Sequence, residues 1–127
     1  MTKHRILLVD DEPAFTRVIK RYLDSVGRYE VRIENDSTKA VAAVREFRPS
    51  LILLDVIMPE MDGGEIAAQL KTDARFKHVP IVFLTAIVSK EQVQRQGDVI
   101  GGHPFLAKPV DAEQVIRFID EKLRSAA

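Results

Sequence analysis

Five polar side chains follow directly on apolar runs. Asp10 and Asp11 follow Ile6-Leu7-Leu8-Val9, and Asp55 follows Leu51-Ile52-Leu53-Leu54. Thr85 follows Ile81-Val82-Phe83-Leu84, and Lys108 follows Phe105-Leu106-Ala107. Continuous apolar runs of this length read as strands buried on both faces of a parallel sheet. The C-terminal ends of parallel strands share one edge, and open α/β sheets bind ligands there. The fold is therefore expected to gather three carboxylates, one hydroxyl and one ammonium. Clustered carboxylates resist ionisation unless a cation joins them. An all-oxygen donor set without His or Cys suits Mg²⁺ better than Zn²⁺. A carboxylate beside Mg²⁺, with Lys108 as a positive charge and Thr85 as a neutral donor, suits acceptance of a phosphoryl group. The competing structural reading is that Asp10 or Asp11 merely caps the next helix.

The elements that must carry these residues alternate along the chain. Tyr29, Val31 and Ile33 alternate with Glu30, Arg32 and Glu34, which predicts a half-exposed strand at a sheet edge. Phe15, Val18, Ile19, Tyr22 and Leu23 repeat at helical spacing between Pro13 and Gly27. Val41, Val44 and Phe47 follow a Ser37 or Thr38 cap and stop at Pro49. Ile66, Ala67 and Leu70 follow Gly63-Gly64, which alone would be loop punctuation. Val115, Ile116, Phe118, Ile119 and Leu123 follow Asp111, with Gln114 placed as in a capping box and the helix ending near Arg124. Ser89 to Gln96 holds one apolar residue, Val93, and reads as a marginal helix. Five β-α units with right-handed crossovers predict a doubly wound α/β fold around a parallel sheet.

The chain has 127 residues, 46% of them hydrophobic and 30% charged, the balance of one folded domain over residues 1–127 with no output domain. Nineteen basic residues balance nineteen acidic ones. With no basic run, direct nucleic-acid or anionic-membrane partners are not expected. The absence of Cys excludes disulfides, thiolate catalysis and zinc–cysteine sites. His4, His78 and His103 have no ligand spacing. The N-terminal apolar run is too short for a signal peptide, and no stretch is long enough to span a bilayer, so a cytoplasmic protein is expected. Arg117, Asp120, Glu121 and Lys122 read as a solvated face, with a dimer surface as the alternative.

The ordered set Asp10-Asp11, Asp55-Val56-Ile57-Met58-Pro59-Glu60-Met61-Asp62-Gly63, Thr85-Ala86 and Phe105-Leu106-Ala107-Lys108-Pro109 resembles the receiver domain of two-component response regulators. The resemblance covers essentially the whole chain. It implies a flavodoxin-like, five-stranded sheet in the order 2-1-3-4-5. It implies that Asp55 takes a phosphoryl group from a histidine kinase or phosphotransfer protein. Asp11 would bind Mg²⁺ directly, Asp10 mainly through water, and Ile57 through its backbone carbonyl. Thr85 and Lys108 would hold the phosphoryl oxygens, and Phe105 would be the aromatic switch. Output to a downstream protein would run through Ser89–Gln96, Phe105–Ala107 and Asp111–Arg124. Such a domain signals; its only chemistry is its own phosphotransfer and autodephosphorylation.

Ile57 and Ile87 are apolar where many relatives carry polar groups, which predicts a long-lived phosphorylated form. Val110 replaces a common Phe, a minor packing change. Three rival functions are weaker. A Mg²⁺-dependent phosphohydrolase would want a second acid two residues after Asp55, where Ile57 stands. A receiver-like interaction module that never takes phosphate would be expected to have lost a site residue. A nucleotide-binding flavodoxin-like domain would want a glycine-rich loop where Asp10-Asp11-Glu12-Pro13 stands.

Overall fold

The structure is a computed structural model, and it describes residues 3–86, 99–100 and 103–126. The expectations on Ser89 to Gln96 and on Ile87 lie outside these residues. The strands are β1 (His4–Val9), β2 (Tyr29–Glu34), β3 (Leu51–Asp55), β4 (Ile81–Thr85), β5 (Val99–Ile100) and β6 (His103–Ala107). The helices among the described residues are α1 (Pro13–Val26), α2 (Ala40–Phe47), α3 (Gly63–Lys71) and α4 (Ala112–Ala126). A 3-10 turn over Ser37–Lys39 leads into α2.

The sheet order is β2-β1-β3-β4-β6-β5. Its five parallel strands have the expected order, with β6 as the fifth. The two-residue β5 adds an antiparallel edge beyond β6. Side chains alternate across the pleat, so each apolar run feeds two cores. Leu7, Val9, Ile52, Leu54, Phe83 and Phe105 pack with α2 and α3. Ile6, Leu8, Leu51, Leu53, Val82, Leu84 and Leu106 pack with α1 and α4. Both sets are buried. Full burial of such a side chain contributes roughly 1.5–3 kcal/mol.

Three local expectations are corrected. Val18 and Tyr22 share the apolar pattern of α1, yet they are 55% and 52% exposed. The buried line is Thr16, Ile19 and Leu23, because the sheet covers less of the helix than its apolar face spans. The cap before α2 is Asp36, whose carboxylate accepts from the Thr38 amide at 3.0 Å. An Asp side chain mimics a backbone turn by closing on the amide two residues ahead. Asp120 belongs to no purely solvated face: its carboxylate accepts from the Arg28 guanidinium and from the buried Tyr29 hydroxyl. That bond ties α4 to the start of β2.

Asp111 does cap α4, accepting from the Glu113 amide at 2.8 Å. Gly27 ends α1 at a φ of 87°, the left-handed region a glycine adopts without strain. No helix among the described residues is long and apolar enough to cross a membrane.

Candidate phosphoacceptor site

Strand register alone brings the polar residues to one edge. Val9 pairs with Leu54, Asp55 with Leu84, and Thr85 with Ala107. Asp10, Asp11, Asp55, Thr85 and Lys108 therefore emerge within two residues of one level on the same sheet edge. The ladder continues past the strand ends, where the Lys108 amide donates to the Thr85 carbonyl at 2.7 Å.

Asp10 is fully buried, Asp55 is 5% exposed and Thr85 is 1% exposed. Carboxylate oxygens of Asp10, Asp11, Glu12 and Asp55 lie within 4.8 Å of one another. Four hard oxygen donors without imidazole or thiolate fit a Mg²⁺-like cation. The Lys108 ammonium lies 2.6 Å from Asp10 Oδ2, 3.1 Å from Glu12 Oε1 and 3.8 Å from Asp55 Oδ2. Its side chain is 11% exposed.

Burial, then the neighbouring Asp10 charge, pushes the Asp55 carboxyl up to about 7, with Asp11 adding to the rise and Lys108 opposing it. Burial also raises Asp10, against its hydrogen bond to Lys108. Burial pulls the Lys108 ammonium down, but its bonds to Asp10 and Glu12 outweigh that and leave it raised. The carboxylates are thus underneutralised by one lysine.

Asp10 serves both readings drawn from the sequence. One oxygen accepts from the Glu12 amide at 3.0 Å, a cap-like bond at the entry to α1. The other faces Lys108. Asn35 donates to the Asp10 carbonyl at 2.7 Å and to the buried Thr16 hydroxyl at 3.1 Å. Asn35 therefore fixes the backbone that presents Asp10.

Gly63 opens α3 directly beneath Asp55. Its amide donates to the Val56 carbonyl at 2.8 Å, and a Cβ there would stand 2.3 Å from the Asp55 carbonyl oxygen. Gly63 is a close-approach position rather than mere loop punctuation. Asp62 caps α3 through the Glu65 amide at 2.9 Å. The Ser37 hydroxyl holds the preceding loop by donating to the Pro59 carbonyl at 2.7 Å. A cavity of about 330 Å³ opens between these loops, lined by Asp11, Asn35, Asp36, Ser37, Pro59 and Glu60.

Ile57, two residues after Asp55, is 54% exposed. Phe105 is buried next to Phe83, its partner in the register. The residues missed from sequence are Glu12, Asn35 and Gly63. Glu12 had a signal, as the third acid in a row. Asn35 had one too, as the polar residue that follows β2.

The family model described as the response regulator receiver domain matches residues 6–120. Response regulator Rre1 of Synechocystis sp. is 34% identical over 111 residues, covering 87% of this chain and 47% of that protein. The polar-differentiation response regulator DivK of Brucella anthropi is 30% identical over 123 residues, covering 95% of this chain and 97% of that protein. The chain thus spans about half the length of the first and nearly all of the second. Among solved structures, the Vibrio cholerae chemotaxis protein CheY4 superposes with a TM-score of 0.82 at 28% identity, covering 94% of this chain and 98% of that one.

Proposed function

Since the chain belongs to the response regulator receiver domains, a family of signalling domains, we propose that Asp55 is its phosphoacceptor. The observation that carries this reading is a buried Asp55 carboxylate with Asp10, Asp11 and Lys108 around it. An Asp55 oxygen attacks the phosphorus of a phosphohistidine on a histidine kinase or phosphotransfer protein. The phosphorus–nitrogen bond breaks, the imidazole leaves with that electron pair and takes a proton, and an acyl phosphate remains. Asp11 and Asp55 would hold Mg²⁺ directly, Asp10 mainly through water and Ile57 through its backbone carbonyl, and the ion would supply positive charge to the phosphoryl oxygens. Lys108 holds one phosphoryl oxygen as a fixed cation, and Thr85 donates to another.

The signal leaves through Phe105. Its ring is buried in the α2–α3 core, and the Thr85–Ala107 pairing links it to the site. Drawing Thr85 toward the phosphoryl group shifts the balance between Phe105 rotamers and alters the surface of β6 and α4 for a downstream protein. The same reading takes residues 1–127 as one receiver unit acting in the cytoplasm, without direct contact to nucleic acid or membrane.

The test separates metal binding from phosphoryl handling. Asp11→Ala should abolish most Mg²⁺ binding, followed by NMR titration, and phosphorylation with it. Lys108→Ala should retain Mg²⁺ binding and slow, without abolishing, phosphorylation by acetyl phosphate. Equal phosphorylation of wild type and Lys108→Ala would contradict the assignment.

A further inference from the structure

Lys108 has a fourth neighbour that the phosphoryl chemistry does not use. Its ammonium sits over the ring of Phe15, 4.5 Å from the centroid. Phe15 lies in the first turn of α1 and is packed against the α1–α4 core. It also walls a cavity of about 440 Å³ with Val18, Pro109 and Val110. The ring is therefore held from behind by packing and presents its face to the lysine.

The other three neighbours are carboxylates. Asp10 and Asp55 belong to the cluster that a cation would draw on, and binding a cation weakens their hold on Lys108. The Glu12 side chain is 62% exposed, so water competes for it. Of these four described neighbours, the ring is the one whose attraction for the ammonium does not depend on metal, proton or phosphoryl state. A cation facing an aromatic quadrupole away from bulk water gains more than an exposed pair does.

We infer that Phe15 is a positioning residue for phosphoryl transfer, holding the Lys108 ammonium at the site through its ring face while Asp10 and Asp55 exchange partners. This rests on the role proposed above for Lys108. Phe15→Leu keeps an apolar side chain but removes the ring; Phe15→Tyr keeps the ring.

The experiment measures phosphorylation by acetyl phosphate at saturating Mg²⁺, in wild type, Phe15→Leu, Phe15→Tyr, Lys108→Ala and the double variant Phe15→Leu/Lys108→Ala. A small donor removes any contribution of α1 to protein docking. Mg²⁺ affinity and folding are checked in each by NMR. Phe15→Leu should lower the maximal rate about threefold to tenfold, with Phe15→Tyr close to wild type. In the Lys108→Ala background the same substitution should add nothing, because coupled residues lose their effect together. An undiminished Phe15→Leu effect without Lys108 would show a packing role and overturn the inference. So would a wild-type rate in Phe15→Leu while Lys108→Ala is impaired. A wild-type rate in Lys108→Ala would instead overturn the role of Lys108 itself, and this inference with it.

Discussion

Gly63 stands so near Asp55 that a Cβ on it would lie 2.3 Å from the Asp55 carbonyl oxygen. The obstacle is backbone, so no side chain can rotate aside. The start of α3 and the end of β3 are thereby locked in register at Asp55.

Gly63→Ala should displace Asp55 and strain the β3–α3 junction. The expected stability loss is about 1–3 kcal/mol, read by urea denaturation. Phosphorylation by acetyl phosphate should slow by about tenfold, because a misplaced nucleophile forfeits alignment. A variant unchanged in both would show that the close approach does not matter.

Stability should fall with rising pH because of Asp55. Its carboxyl moves from 3.8 to about 7 in the folded protein. Between those values the native state binds more protons than the unfolded one, so stability declines across that window. Below about pH 4 both states are protonated and the penalty vanishes. Asp55→Asn removes the titration. With divalent cations chelated it should stabilise the protein by roughly 1–4 kcal/mol at pH 8, shrinking toward zero at pH 4. Denaturant midpoints across pH measure this, and a pH-independent difference would contradict it.

Ile57 predicts a slow reset. It follows Asp55 by two residues, is 54% exposed and offers water no side-chain hydrogen bond. Ile57→Asn should speed loss of the phosphoryl group by roughly tenfold, by orienting the attacking water. The decay is followed after removal of donor. An unchanged decay in a folded variant would leave Ile57 without a role in phosphoryl lifetime.

What could be read in the sequence was what strand geometry dictates. Apolar runs ending at Asp10, Asp55, Thr85 and Lys108 declare both the parallel strands and the edge on which those residues meet. The alternation from Tyr29 to Glu34 marked an edge strand, and β2 is one. Helical spacing identified α1 but not which apolar residues stay outside, since Val18 and Tyr22 satisfy the same period as Ile19 and Leu23. β5 is too short to show any period. Gly63, Asn35 and Phe15 act through contacts with residues distant in sequence or around a turn of helix. Their roles follow from tertiary approach, which neither composition nor local pattern encodes.

Asp55 is the residue proposed to carry the phosphoryl group. Intact-mass measurement after incubation with acetyl phosphate and Mg²⁺ tests this most directly, in wild type and Asp55→Asn. Wild type should gain about 80 Da, one phosphoryl group, dependent on Mg²⁺, and Asp55→Asn should gain nothing. An equal gain in Asp55→Asn would contradict the account.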